Sequence, residues 1–228
     1  MSLILNIDTS TEKASICLAT GGASIAVLEN SDQKDHAAWI HPAIEKLLQQ
    51  AEQSFQDLKA VAVTAGPGSY TGLRVGMATA KGLCYALGIP LLTENTLRVM
   101  ALAVRNSYTD EVNIENILFC PMIDARRMEV FTALFNPVLD EMMKSSALIL
   151  DHNSFSDYLA GHVIIFSGNG IKKFQPLVSH PHARFSEISF SAEHLAELSD
   201  KKFANRQFED VAYAEPLYLK EFYTIGKK

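Results

Sequence analysis

The chain has 228 residues, 48% of them hydrophobic and 20% charged, with 12 Gly and 8 Pro, a balance that excludes a disordered chain and suffices to bury a substantial core in one large domain or two small lobes. Lys and Arg total 20 against 26 Asp and Glu, a net charge of −6. With no basic cluster to offset it, the chain is not expected to hold DNA or tRNA alone, although a partner can supply the positive surface. Met1 to Asp8 reads as a strand rather than a signal peptide, and no window reaches the roughly eighteen apolar residues of a membrane span, so a soluble, cytoplasmic protein is expected.

Three strands come first, Leu3 to Asp8, Ala14 to Thr20 and Ala23 to Glu29, with Gly21-Gly22 as the hairpin signal between the second and third. Asp32 to Gln53 carries Trp39, Ile40, Ala43, Ile44, Leu47, Leu48 and Ala51 at three-and-four spacing, an amphipathic helix in which Pro42 marks a kink or a later start. Lys59 to Thr64 is a short apolar strand. The loop Gly66-Pro67-Gly68 joins it to a helix ending near Leu87, with Gly88 as the stop signal. Ile89 to Leu92 returns as a strand, and a further helix starts at about Thr96. After the polar stretch Arg105 to Glu111 a weaker copy follows: strands Ile117 to Asp124, Met128 to Asn136 and Met143 to Leu150, and a short helix near Phe155 to Leu159. Then come the strand His162 to Ser167 and Gly168-Asn169-Gly170, leading into Ile171 to Phe174. The order βββαβα, repeated, predicts an α/β fold of two mixed-sheet lobes with helices against them, the second lobe reduced. The lobes are expected at 1–104 and 105–228, with the C-terminal segment packing back on the first.

Ala65 to Gly76 looks like a phosphate loop but lacks the Gly-x-x-x-x-Gly-Lys-Ser/Thr spacing, because no lysine follows the loop before Lys81. Gly66 and Gly68 permit positive φ or close backbone approach, Pro67 fixes its own φ, and Ser69 can cap the helix. The loop therefore reads either as an anion or partner contact or as a strand-to-helix connection that binds nothing. Asp8, Thr9 and Ser10 admit a similar pair of readings: a remnant phosphate loop with a carboxylate for a hard cation, or an Asx or Ser/Thr turn. Cys17, Cys84 and Cys120 stand apart among apolar neighbours and read as small buried thiols. His180-Pro181-His182 reads as a surface loop, since no nearby Cys or carboxylate completes a metal site, and Ser69 is not in a Gly-x-Ser-x-Gly elbow.

Four stretches taken together resemble the TsaB family: Asn6-Ile7-Asp8-Thr9-Ser10-Thr11, His36, Ala65-Gly66-Pro67-Gly68-Ser69-Tyr70-Thr71-Gly72-Leu73-Arg74-Val75-Gly76, and Asp124-Ala125-Arg126-Arg127-Met128-Glu129-Val130-Phe131. The resemblance runs on to Pro216-Leu217-Tyr218-Leu219-Lys220. It implies the actin, hexokinase and Hsp70-like fold. It also implies a non-catalytic subunit that activates the catalytic homologue TsaD in forming threonylcarbamoyladenosine, next to the anticodon, in tRNAs reading codons that begin with adenine. The partners implied are TsaD as a heterodimer and the ATPase TsaE docked on that pair, with a homodimer when the chain is alone and tRNA met only through the complex. No cofactor is expected on this chain alone; ATP, ADP and metal are expected on partner subunits. TsaD carries a His-x-x-x-His metal pair, and here Thr96 and Met100 stand in its place, a hydroxyl and a thioether that are poor ligands for a hard catalytic cation. The partner surface is expected on the two N-terminal helices, through His36, Trp39, Ile40, Ala43, Ile44 and Leu47 on one and Tyr70, Leu73, Arg74, Met77 and Ala78 on the other, with most of each stripe expected to be buried within the subunit and only part left for a partner. Gly72, Gly76, Ala78, Ala80 and Gly82 would allow another helix to approach closely. A small-molecule kinase or a nucleotide-binding module of the same fold is the alternative.

Overall fold

A computed structural model describes residues 2–32, 35–108 and 114–220. The first half runs β1 (Leu3–Asp8), β2 (Ala14–Thr20), β3 (Ala23–Asn30), α1 (His36–Gln50), β4 (Ala60–Gly66), α2 (Tyr70–Leu87), β5 (Leu91–Asn95) and α3 (Thr96–Ser107). The second repeats the order with β6 (Ile117–Asp124), β7 (Glu129–Phe135), β8 (Glu141–Ile149), α4 (Ser156–Leu159), β9 (Val163–Ser167), α5 (Ile171–Phe174), β10 (Ala183–Ser186) and α6 (Ala192–Ala204). The sheets are ordered β3-β2-β1-β4-β5 and β10-β9-β6-β7-β8. Read from its β8 edge, the second repeats the first: antiparallel hairpin strands on one side of the leading strand, parallel strands on the other. The reduction of the second copy lies in its helices, since α4 and α5 have 4 residues each where α1 and α2 have 15 and 18.

Side-chain alternation in the strands sorts the core into layers. Leu5, Ile7, Val61 and Val63 face α1 and α2, where they meet Ile40, Ile44, Leu47 and Met77. Ile4, Ala60 and Ala62 face the other way, onto α3 and α6, whose Val99, Leu102, Leu195 and Leu198 also meet Phe119, Ile123 and Phe135 of the second sheet. Beyond that sheet a tight aromatic group, Phe155, Phe166 and Phe174, covers its outer face. Both interlobe helices are thus buried on two sides, which fits the eight buried residues of α3. α6 lies against β1 and β2 of the first sheet, and the Ser199 hydroxyl donates to Asn6 Oδ1 at 2.6 Å.

Local signals explain the ends of elements. Gly21 and Gly22 both have positive φ in the hairpin turn, Gly88 closes α2 in the left-handed region, and Ser69 Oγ accepts the Gly72 N–H at 3.3 Å as the cap of α2. α1 starts at His36 and continues through Pro42, which lies inside the helix; Gln33 and Lys34, in the stretch expected to open it, lie outside the described residues, as do Thr109 to Glu111 of the polar stretch. Among the described residues no helix is long and apolar enough to cross a membrane. All three cysteines are free and buried, and burial pushes their thiol pKa values up to about 11 at Cys17 and Cys84 and about 12 at Cys120, so little reactive thiolate forms near neutrality.

Candidate functional site

β1 and β4 are parallel neighbours at the middle of the first sheet, so the loops leaving their carboxyl ends meet over the sheet edge, the place where open α/β sheets hold ligands. Asp8 ends β1 and is 1% exposed. Its Oδ1 accepts three hydrogen bonds, from the Ser10 N–H at 3.2 Å, the Ser10 hydroxyl at 2.6 Å and the Thr64 hydroxyl at 2.6 Å. The first is an Asx turn. Burial raises the Asp8 pKa above its ordinary value, against these bonds, which favour the ionised form.

The glycine loop closes directly onto this turn. The Ser69 N–H donates to the Ser10 carbonyl at 2.7 Å, and the Thr9 hydroxyl donates to the Gly72 carbonyl at 2.7 Å. A Cβ on Gly68 would overlap the Ser10 carbonyl oxygen, one on Gly72 the Thr9 carbonyl oxygen, and one on Gly76 the Thr9 hydroxyl. The glycines are therefore what lets α2 lie against the β1 turn, and an N–H of the loop that could meet an anion meets a backbone carbonyl instead. Gly66, with φ +120°, would carry a Cβ 2.7 Å from the Leu217 carbonyl oxygen. That contact belongs to the C-terminal segment. After α6 the chain straps across the first lobe: the Glu209 N–H donates to the Leu91 carbonyl, Lys81 Nζ holds the Ala212 and Ala214 carbonyls, and the Leu217 N–H donates to the Ala65 carbonyl at 2.7 Å. Tyr218 then packs on Tyr70, ring centroids 5.4 Å apart, and Lys220 pairs with Glu129 of the second lobe.

The residues expected at a partner surface divide sharply. Ile40, Ala43, Ile44, Leu47, Leu73 and Met77 are at most 5% exposed and His36 is 4% exposed, so the structure corrects their assignment. They are the inward stripe of α1 and α2 and are already spent on the chain's own core. The small residues divide too: Gly72, Gly76 and Ala80 face inward, while Ala78 and Gly82 are exposed. On the outer face of α2 stand Tyr70, Thr71, Arg74, Ala78, Gly82 and Tyr85, the last 86% exposed, with Trp39 half-buried on α1. Arg74 donates to the Tyr70 hydroxyl at 2.6 Å and lies over its ring. Tyr85 was missed because it follows the same helical period one step past the residues singled out.

The second sheet repeats the strand-end arrangement with a different outcome. Asp124 ends β6 as Asp8 ends β1, and its Oδ1 again makes an Asx turn, accepting the Arg126 N–H at 2.6 Å and Lys173 Nζ at 2.5 Å. The Asn169 Oδ1 accepts the Asp124 N–H at 2.8 Å. Burial pulls the Asp124 pKa up, but the bonds from Lys173 and Arg126 outweigh it and hold the carboxyl below its ordinary range. Thr96 and Met100, at the places of the histidine pair, are buried in the interlobe core. Among the described residues no three His, Cys, Asp or Glu side chains converge on a point that could hold a metal.

A family model described as TsaD, tRNA N6-adenosine threonylcarbamoyltransferase, matches residues 27–221. The chain belongs to this family. Within it the likeness is to TsaB. Over 95% of its length the chain is 29% identical to the tRNA threonylcarbamoyladenosine biosynthesis protein TsaB of Bacillus subtilis, of which 93% is covered. It is 33% identical to the TsaB of Haemophilus influenzae over 62% of its own length and 56% of that protein. YeaZ from Pseudomonas aeruginosa superposes with a TM-score of 0.74 over 96% of this chain and 100% of that one, at 23% identity, and so shares the fold. The doubled sheet order is that of the actin and hexokinase-like fold, and the family's role is in tRNA threonylcarbamoyladenosine biosynthesis.

Proposed function

We propose that this chain is a non-catalytic subunit that activates and positions TsaD for threonylcarbamoylation of tRNA, with TsaE docking on the resulting pair and with nucleotide and metal bound on the partner subunits. The observation that carries the reading is the closure of the strand-end site. The N-terminal turn of α2, a helix end that could otherwise receive an anion, is packed against the Thr9 and Ser10 carbonyls through Gly68 and Gly72. The interface is assigned to the outer face of α2. Ala78 and Gly82 allow close approach of a helix there, and Tyr70, Arg74 and Tyr85 provide large, rigid contact area around them.

Arg74→Glu and Ala78→Arg test this assignment, since both side chains point to solvent and their replacement leaves the core intact. Each variant is expected to melt with the parent yet fail to co-elute with TsaD and fail to support modification. Full assembly and full activity in both would remove α2 as the interface.

A further inference from the structure

The hairpin between β6 and β7 breaks a local rule without a folding reason. Its turn places two successive non-glycine residues in the left-handed region, Arg126 at φ 71° and Arg127 at φ 48°, where Gly, Asn and Asp sit with least strain. The turn is otherwise well built, with the Arg126 N–H on Asp124 Oδ1, the Ala125 N–H on the Glu129 carbonyl and the Glu129 N–H on the Arg126 carbonyl. Its backbone would therefore be better served by Asn-Gly. Both arginines are exposed, and among the described residues neither guanidinium meets a carboxylate or any other hydrogen-bond partner. The nearby carboxylates do not neutralise them, because Asp124 is held by Lys173 and Glu129 by Lys220. Strain kept at an exposed, uncompensated pair of cations points to a use for those cations.

We infer that Arg126 and Arg127 form a contact for the phosphodiester backbone of tRNA, made when this chain sits in its modification complex; the inference rests on the reading of the chain as a TsaD partner. Guanidinium groups match phosphate oxygens in a two-pronged geometry. A hairpin tip with both side chains in solvent suits the outside of a polymer better than a free nucleotide, which binds in a concave site. The turn also stands at the carboxyl end of the strand from which the second sheet is built out in both directions, beside the strap that Lys220 ties to Glu129. Two such contacts are compatible with a net charge of −6 because they position a substrate whose main hold comes from the partner.

The test replaces the pair with the residues the turn prefers, Arg126→Asn with Arg127→Gly, so that folding is favoured rather than threatened. The chain is assembled with TsaD, assembly is checked by gel filtration, and labelled tRNA is titrated across a salt series. The double variant is expected to melt higher and to bind tRNA about ten- to thirtyfold more weakly near 0.1 M salt. Its plot of log affinity against log salt should be shallower by about 1.4 to 1.8, the release expected for two lost phosphate contacts. Arg126→Lys with Arg127→Lys should keep most of that slope. Unchanged tRNA affinity and slope in the Asn-Gly variant, with assembly intact, would overturn the inference, as would an ATP affinity of the assembly that falls with the same substitutions. Failure of the parent chain to assemble with TsaD would instead count against the subunit reading, and would take the arginine contact with it because the partner supplies the main hold on tRNA.

Discussion

Replacing Gly72 and Gly82 by alanine, one at a time, separates the packing role of a glycine from its helical cost within a single helix. A Cβ on Gly72 falls on the Thr9 carbonyl oxygen, far inside the 3.0 Å that real Cβ contacts respect. Neither partner is the far end of a flexible side chain, so the first turn of α2 must lift off the β1 turn. That motion breaks the Thr9 hydroxyl bond to the Gly72 carbonyl and stretches the Ser69 N–H bond to the Ser10 carbonyl, both 2.7 Å. Overpacking costs about 1–3 kcal/mol and the lost bonds about 1 kcal/mol each, while alanine returns at most about 1 kcal/mol in helix propensity. The net is a loss of about 2–4 kcal/mol. Gly82 has nothing within 4 Å of its Cβ position, so alanine there gains propensity alone, up to about 1 kcal/mol. By calorimetry, Gly72→Ala should lower Tm by about 5–15 °C and Gly82→Ala should raise it by about 2–4 °C. Equal shifts for the two would refute the account of why the loop is glycine-rich.

Ile44→Glu and Leu73→Glu bury a charge in the core beneath α1 and α2, and each should abolish the cooperative melt followed by circular dichroism; a native-like melt in either would contradict its burial. His194 accepts the Ser191 N–H through Nδ1 in the cap of α6, and burial lowers its pKa below 6.5. The unfolded chain therefore takes up the proton first, and stability present above pH 6.5 declines as pH falls below it. His194→Gln keeps the capping acceptor without a titration, so the Tm drop between about pH 7.5 and about pH 5.5 should shrink; an unchanged drop would refute that role. Asp8 has the opposite sign: its raised pKa means the folded state binds the proton first, so stability falls as pH rises from 3.8 through the raised value. The Tm difference, Asp8→Asn minus parent, should therefore grow through that window, and a difference independent of pH would show that burial of the charge carries no penalty.

Much of the fold was legible because its signals are local. Gly21-Gly22, Ser69 and Gly88 each specify a turn or cap through their own backbone chemistry, and the stripes of α1 and α2 follow from helical period. The last strand and helix, β10 and α6, were missed. β10 has four residues, half-buried or exposed, and carries no alternation. α6 is only moderately apolar, and it is placed by contact with β1 and β2, which are distant in sequence. The site was legible as a list of residues but not as an arrangement. An apolar stripe reports burial without saying what covers it, so which part would face a partner was not legible; Ile40, Ile44 and Leu47 pack on Leu5, Ile7 and their neighbours. The C-terminal segment was expected to pack back on the first lobe, but nothing in Leu217 or Lys220 foretells that one meets the glycine loop and the other Glu129.

The most direct measurement is threonylcarbamoyl transfer to tRNA by purified TsaD, TsaE and the threonylcarbamoyl-adenylate synthase, supplied with ATP, threonine and bicarbonate, with and without this chain, and by the chain alone. The account predicts transfer that requires the chain and none from the chain by itself. Transfer that proceeds equally well without it, or that the chain performs unaided, would contradict the activating-subunit reading.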